Sequence, residues 1–73
     1  MAIVTEKVRN NLSSNLTFIR TQFGYNQGKI AGLLNVKRST YAGWEEGRNE
    51  PSVSMLVQIS NLYSVTLDQL IKS

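Results

Sequence analysis

The chain contains neither cysteine nor histidine. Disulfides, Cys/His zinc sites and thiol or imidazole catalysis are thereby excluded, and the composition makes no demand for an oxidising compartment. Carboxylates are scarce too: Asp68 is the sole aspartate, and Glu45, Glu46 and Glu50 crowd one short stretch. With no Gly-rich phosphate cradle and no nucleophile beside a base, an enzyme is not expected, nor a metal, a cofactor or a small-molecule ligand. No apolar run approaches the roughly 20 residues that span a bilayer, and the opening MAIVTEKVRNN lacks the apolar core of a signal peptide. The expectation is a soluble, cytoplasmic protein with no membrane association.

Proline occurs once, at Pro51, and no repeat, low-complexity run or linker divides the sequence. The 73 residues are therefore expected to form a single domain over 1–73, with 1–9 as a loose N-terminal arm. Such a domain buries only about 60 % of its unfolded surface, so its stability will be modest. Lysine and arginine number 8 against 5 acids, giving +3 and a pI near 9.6, which by itself decides nothing. Position says more: Lys29, Lys37, Arg38 and Arg48 fall within the central third, and the glutamates follow at its far end.

Apolar spacing gives helices and no strands. Leu12, Leu16, Ile19 and Phe23 line one face of a first helix closed by Gly24, with Ser13 or Ser14 as alternative N-caps and Val8 as a backward extension. Asn26 can cap a second helix carrying Ile30, Ala31, Leu33 and Leu34; Asn35, tolerant of positive φ, then turns the corner. After Val36, which should point inward, Thr40, Tyr41 and Trp44 mark a third helix that Gly47 and Pro51 terminate. Ser52 can cap a fourth with Val53, Leu56, Ile59 and Tyr63 inward and Ser60 leaving room for a neighbour. Thr66-Leu67-Asp68-Gln69 reads as a capping box before a fifth short helix with Leu70 and Ile71. The second and third helices, about two turns each and joined by a tight turn, make a helix-turn-helix, the layout of a reader of duplex DNA.

These residues resemble the lambda-repressor-like, Cro-type helix-turn-helix family, also called the xenobiotic-response-element family, over roughly Leu12 to Ile71. The carriers are Leu16-x-x-Ile19-Arg20, Gly24-x-x-Gln27, Ile30-Ala31-x-x-Leu34-Asn35-Val36, Arg38-Ser39-Thr40, Trp44-Glu45-x-Gly47, Pro51-Ser52 and Val65-Thr66-Leu67-Asp68-Gln69-Leu70. The resemblance implies an all-α, five-helix DNA-binding domain acting as a transcriptional regulator, with a repressor role expected. Its recognition helix, about 37–46, would lie in the major groove. Arg38 and Ser39 match adjacent base-reading positions and Gly43 a third, one turn later. Gln27 matches a residue that docks on phosphate, and Arg20 and Glu45 match a buried ion pair.

Three residues depart from the family pattern. Asn35 replaces a usual Gly. Lys37 replaces a usual Ser or Thr at the third helix's N-cap, costing roughly 1 kcal/mol, with a phosphate contact as the expected compensation. Gly43 stands inside a helix, about 1 kcal/mol worse than Ala. With no side chain there, base reading is expected to narrow to Arg38, Ser39 and Lys37.

Each assignment has a plainer alternative. Arg38 and Ser39 could be ordinary surface residues; Gln27, Lys29, Lys37 and Arg48, here assigned to phosphates, could be solvated. Trp44, Tyr25 and Tyr63 are assigned to packing, since duplex DNA offers no free base to stack on. Met55, Leu62 and Ile71, with Val57, are either scattered surface hydrophobes or a two-fold contact. In the second case a homodimer would read a near-palindromic double-stranded operator. The rival class is an antitoxin-type or protein-interaction module that keeps the fold with weak or no DNA binding.

Overall fold

The computed structural model describes residues 5–73. Its elements are α1 (Glu6–Gln22), α2 (Gln27–Leu34), α3 (Arg38–Glu45), α4 (Val53–Tyr63) and α5 (Leu67–Ile71), with no strand among the described residues. Every helix sends a short stripe into one shared core. Leu12 and Leu16 come from α1, Ile30, Ala31 and Leu34 from α2, Tyr41 and Trp44 from α3, Ile59 and Tyr63 from α4, and Leu70 from α5. The α1 helix lies against α5 and α3, and α2 against α3 and α4, so α1 and α4 hold the two-helix unit and α5 braces both of them.

Side-chain caps fix where the helices begin. Asn26 accepts from the Lys29 amide at 2.7 Å, Ser52 from Met55 at 3.1 Å, and Thr66 and Gln69 form a reciprocal capping box. Thr5 does the same for α1, accepting from the Val8 amide at 3.2 Å. The loose arm expected over 1–9 overlaps this helix at residues 6–9. Residues 1–4 lie outside the described residues, and from Glu6 onward the chain is helix, helped by Glu6 at the positive end of the dipole and by an Arg9–Glu50 ion pair of 2.9 Å. Ser13 and Ser14 are accordingly interior to α1.

Left-handed residues fix where helices stop. Asn35 (φ 60°) ends α2, and the Val36 amide reaches back to the Ala31 carbonyl at 3.0 Å. Gly47 (φ 74°) turns the chain after α3. Ser64 (φ 57°) ends α4, a non-glycine stop that composition gave no reason to expect.

Four residues assigned to inward stripes lie elsewhere. Leu33 is 46 % exposed because the eight-residue α2 presents one stripe, which Ile30, Ala31 and Leu34 already fill. Val53, at the first position of α4, overhangs the core and is 63 % exposed. Thr40 is exposed beside buried Tyr41. Phe23 follows the end of α1, half-exposed, with its ring laid on Tyr63 at 4.8 Å and Tyr25 at 5.8 Å.

Candidate nucleic-acid interface

The α3 helix is divided along its length. Lys37, Arg38, Ser39 and Thr40 at its start are all exposed, whereas Tyr41, Ala42, Gly43 and Trp44 are buried. The aromatic pair supplies the anchor: Tyr41 and Trp44 meet edge to face, centroids 5.7 Å apart, both directed into the core. The first turn, Lys37 to Thr40, is left in solvent. Lys37 occupies the N-cap with no side-chain cap bond, so the α3 start keeps amides that no local oxygen satisfies. The Arg38 stem passes close to Gly28 of α2, where a Cβ would make ordinary contact with its Cδ at 3.9 Å.

Behind this face, a single carboxylate joins three helices. Glu45 of α3 receives Arg20 Nε at 2.7 Å and Nη2 at 3.2 Å from α1, Gln27 Nε2 at 3.0 Å from α2, and the Tyr41 hydroxyl from its own helix. Arg20 also donates to the Tyr25 carbonyl at 2.8 Å. The Arg20 and Glu45 side chains are only 14 % and 5 % exposed. Burial alone would raise the Glu45 carboxyl, but hydrogen bonds from Arg20, Tyr41 and Gln27 outweigh it and hold the group below its ordinary range. The same carboxylate raises Arg20, and burial followed by the bond to Glu45 raises Tyr41. Tyr63, buried nearby without a hydroxyl partner, is pushed up to about 12 by desolvation. These groups hold the scaffold together.

Ion pairing concentrates the free charge. Glu45 is matched to Arg20, Glu46 to Arg48, Glu50 to Arg9 and Asp68 to Lys72. Among the described residues this leaves Lys7, Lys29, Lys37 and Arg38 without an ionic partner, against Glu6 alone. Three of those four cations belong to the helix-turn-helix. The formal +3 of the chain is therefore chiefly a property of one edge.

Several expected site residues stand differently from their assignment. Gly43 presents no open surface for a base, because the Asn49 side chain covers it. Gln27 is half-buried and turned toward Glu45, leaving one amide hydrogen for any phosphate. Arg48 is exposed but bonded to Glu46 at 2.7 Å, a surface pair worth little that a phosphate would have to displace. Lys29 is exposed in the first turn of α2. Met55, Leu62 and Ile71 are half-buried and packed against the core, so much of their apolar surface is already used within the domain. Larger open apolar surface belongs to Val53, Val57 and Leu67, of which the two valines lie on the flank of α4 opposite Met55 and Leu62. Sequence reasoning passed over Asn49; its place is set by the chain's return after Gly47, which periodicity does not report.

A helix-turn-helix family model matches residues 18–70. The SPbeta prophage-derived uncharacterized HTH-type transcriptional regulator YonR of Bacillus subtilis (strain 168) is 38 % identical over 53 residues, 73 % of this chain and 49 % of that protein. The HTH-type transcriptional regulator AnsR of the same organism is 36 % identical over 56 residues, 77 % of this chain and 48 % of that one. The chain thus spans about half the length of the curated relatives it matches. Among solved structures, a transcriptional regulator from Listeria innocua superposes with a TM-score of 0.78 at 27 % identity, covering 82 % of this chain and 56 % of that one. A hypothetical transcription factor from Neisseria, TM-score 0.82 at 20 % identity over 99 % and 85 % of the two chains, shares the fold. With a family model over residues 18–70 and relatives of more than 30 % identity across most of its length, the chain belongs to the Cro/C1-type helix-turn-helix family.

Proposed function

We propose that this chain is a sequence-specific, double-stranded-DNA-binding domain of a transcriptional regulator, acting as a repressor, with the start of α3 in the major groove. The observation that carries the reading is the coincidence of two independent features at one place. The outward turn of α3 is the part of the unit that the core leaves free, and it is also where unpaired cations gather. Arg38 and Ser39 then reach base edges, and Lys37 and Lys29 reach flanking phosphates. Gln27 contributes its remaining amide hydrogen and Arg48 its guanidinium after leaving Glu46. A homodimer on a near-palindromic site would set two such helices about 34 Å apart, and the exposed Val53 and Val57, one turn apart on α4, support that pairing.

Titration into random-sequence duplex across a salt series tests the electrostatic part. Each neutralised phosphate lowers the log–log slope by about 0.9, so phosphate contacts from Lys29, Lys37 and Arg48 give a slope of about −3 per protomer. Binding insensitive to salt, or absent at low salt, would move the chain to the protein-interaction class.

A further inference from the structure

Of the 8 basic and 5 acidic residues in the sequence, Arg20 alone falls between Asn10 and Gly28. It is turned inward, onto Glu45 at 2.7 Å. The outer surface of α1 beyond Arg9 is therefore without charge, its exposed residues being Asn10, Ser14, Phe18, Thr21 and Gln22. Among them stands the Phe18 ring, 63 % exposed. Beside that ring the surface is hollow, because a groove of about 540 Å³ runs between α1 and α5, with Phe18, Ile19 and Val65 among the residues that line it. Its walls are tied together. Asn15 Nδ2 donates to the Leu70 and Lys72 carbonyls at 2.7 Å each, and Asn11 Nδ2 donates to the Ile71 carbonyl at 3.3 Å. The two charged residues at the groove, Asp68 and Lys72, pair with each other at 3.4 Å. Ser13 and Arg20 face α3, donating to the Trp44 carbonyl and to Glu45, and at about 100° per residue Phe18 projects about 140–160° away from both. The ring thus points away from the helix-turn-helix.

We propose that this outer face of α1 is a docking surface for a second copy of the chain, separate from the flank of α4 that carries Val53 and Val57. A ring and a hollow on one patch are self-complementary: across a two-fold axis, the Phe18 of each copy enters the groove of the other. Charge favours the same occupant. Two molecules of net +3 repel each other, and this face lets them meet without bringing like charges together. An aromatic side chain set among uncharged residues also has the composition of an interface core. Because the contact lies on the side of α1 away from α3, it leaves the start of α3 open. The inference does not depend on the DNA-binding reading, and failure to bind duplex would leave it standing.

Sedimentation equilibrium of the full chain without DNA, from micromolar concentration to about 1 mM, tests it. Phe18→Ser should weaken self-association about 10- to 100-fold, the effect of losing an aromatic anchor. Ser14→Lys places a charge one turn from Phe18 on each copy and should weaken it by a similar factor. Val53→Ser, on the α4 flank, should leave the Phe18-dependent step in place. Amide spectra recorded on dilution should shift most at residues 14–22 and 65–72. Phe18 and Ser14 are both exposed, so each variant should melt close to the unaltered chain, and if one does not, the other decides. A chain that stays monomeric to about 1 mM overturns the proposal. So does association that survives both Phe18→Ser and Ser14→Lys, whatever Val53→Ser does to it.

Discussion

Arg20 and Arg38 carry the same side chain in opposite circumstances. Arg20 is almost enclosed, with Nε and Nη2 on Glu45 and Nη1 on the Tyr25 carbonyl. Arg38 stands in solvent without an ionic partner among the described residues. The difference separates two duties that a cation can perform in a small domain. An arginine whose donors are used internally contributes to shape, and one whose donors are free is available for recognition. Charge counting places both in the same class; the partners distinguish them.

Breaking the enclosed pair should have the largest effect. Arg20→Ala leaves Glu45 buried with only Gln27 and the Tyr41 hydroxyl, and should cost about 3–5 kcal/mol, measured by chemical or thermal denaturation. The pH dependence follows from the direction in which Glu45 is shifted. Its folded value lies below the ordinary 4.5, so the stabilisation is fully present above that pH and disappears as pH falls through the depressed value. The gap between the unaltered chain and Arg20→Ala should therefore narrow in acid.

Removing the exposed arginine should leave stability nearly untouched. Arg38→Ala is expected to melt within about 0.5 kcal/mol of the unaltered chain. It should lose about 1–3 kcal/mol of discrimination between a selected site and a scrambled one. Equal weakening on both duplexes would reassign Arg38 to phosphate.

A smaller change sharpens the contrast at a residue placed between the two duties. Lys37→Ser restores a side-chain oxygen at the α3 N-cap and should add about 1 kcal/mol of stability. If Lys37 meets a phosphate, the same substitution makes the salt slope shallower by about 0.9. Stability gained with affinity retained would show that the lysine has no DNA role.

Local chemistry made most helix boundaries legible. Asn26, Ser52 and Thr66 each cap where their side-chain type and position indicate, and Asn35 turns as a residue tolerant of positive φ can. Tyr41 and Trp44 are buried in the core, as their shared stripe suggested. Features that depend on distant chain were less visible. The beginning of α1 has almost no apolar stripe, so only Thr5 and the long-range Arg9–Glu50 pair reveal it. The inward turn of Gln27 depends on a carboxylate 18 residues away. The covering of Gly43 arises from a reversal at Gly47, and a glycine in the middle of a helix signals only that something approaches closely, without naming Asn49. Met55, Leu62 and Ile71 showed the same limitation, because periodicity separates a helix's faces but does not say which of two neighbours covers the boundary.

The convergence of α1, α2 and α3 on the Glu45 carboxylate has a kinetic consequence. Because Glu45 ties α2 and α3 to each other and to α1, a contact surface on the paired helices, as proposed, would exist in finished form before any encounter. Docking then requires little rearrangement, and discrimination between partners falls to the lifetime of the complex more than to the speed with which it forms.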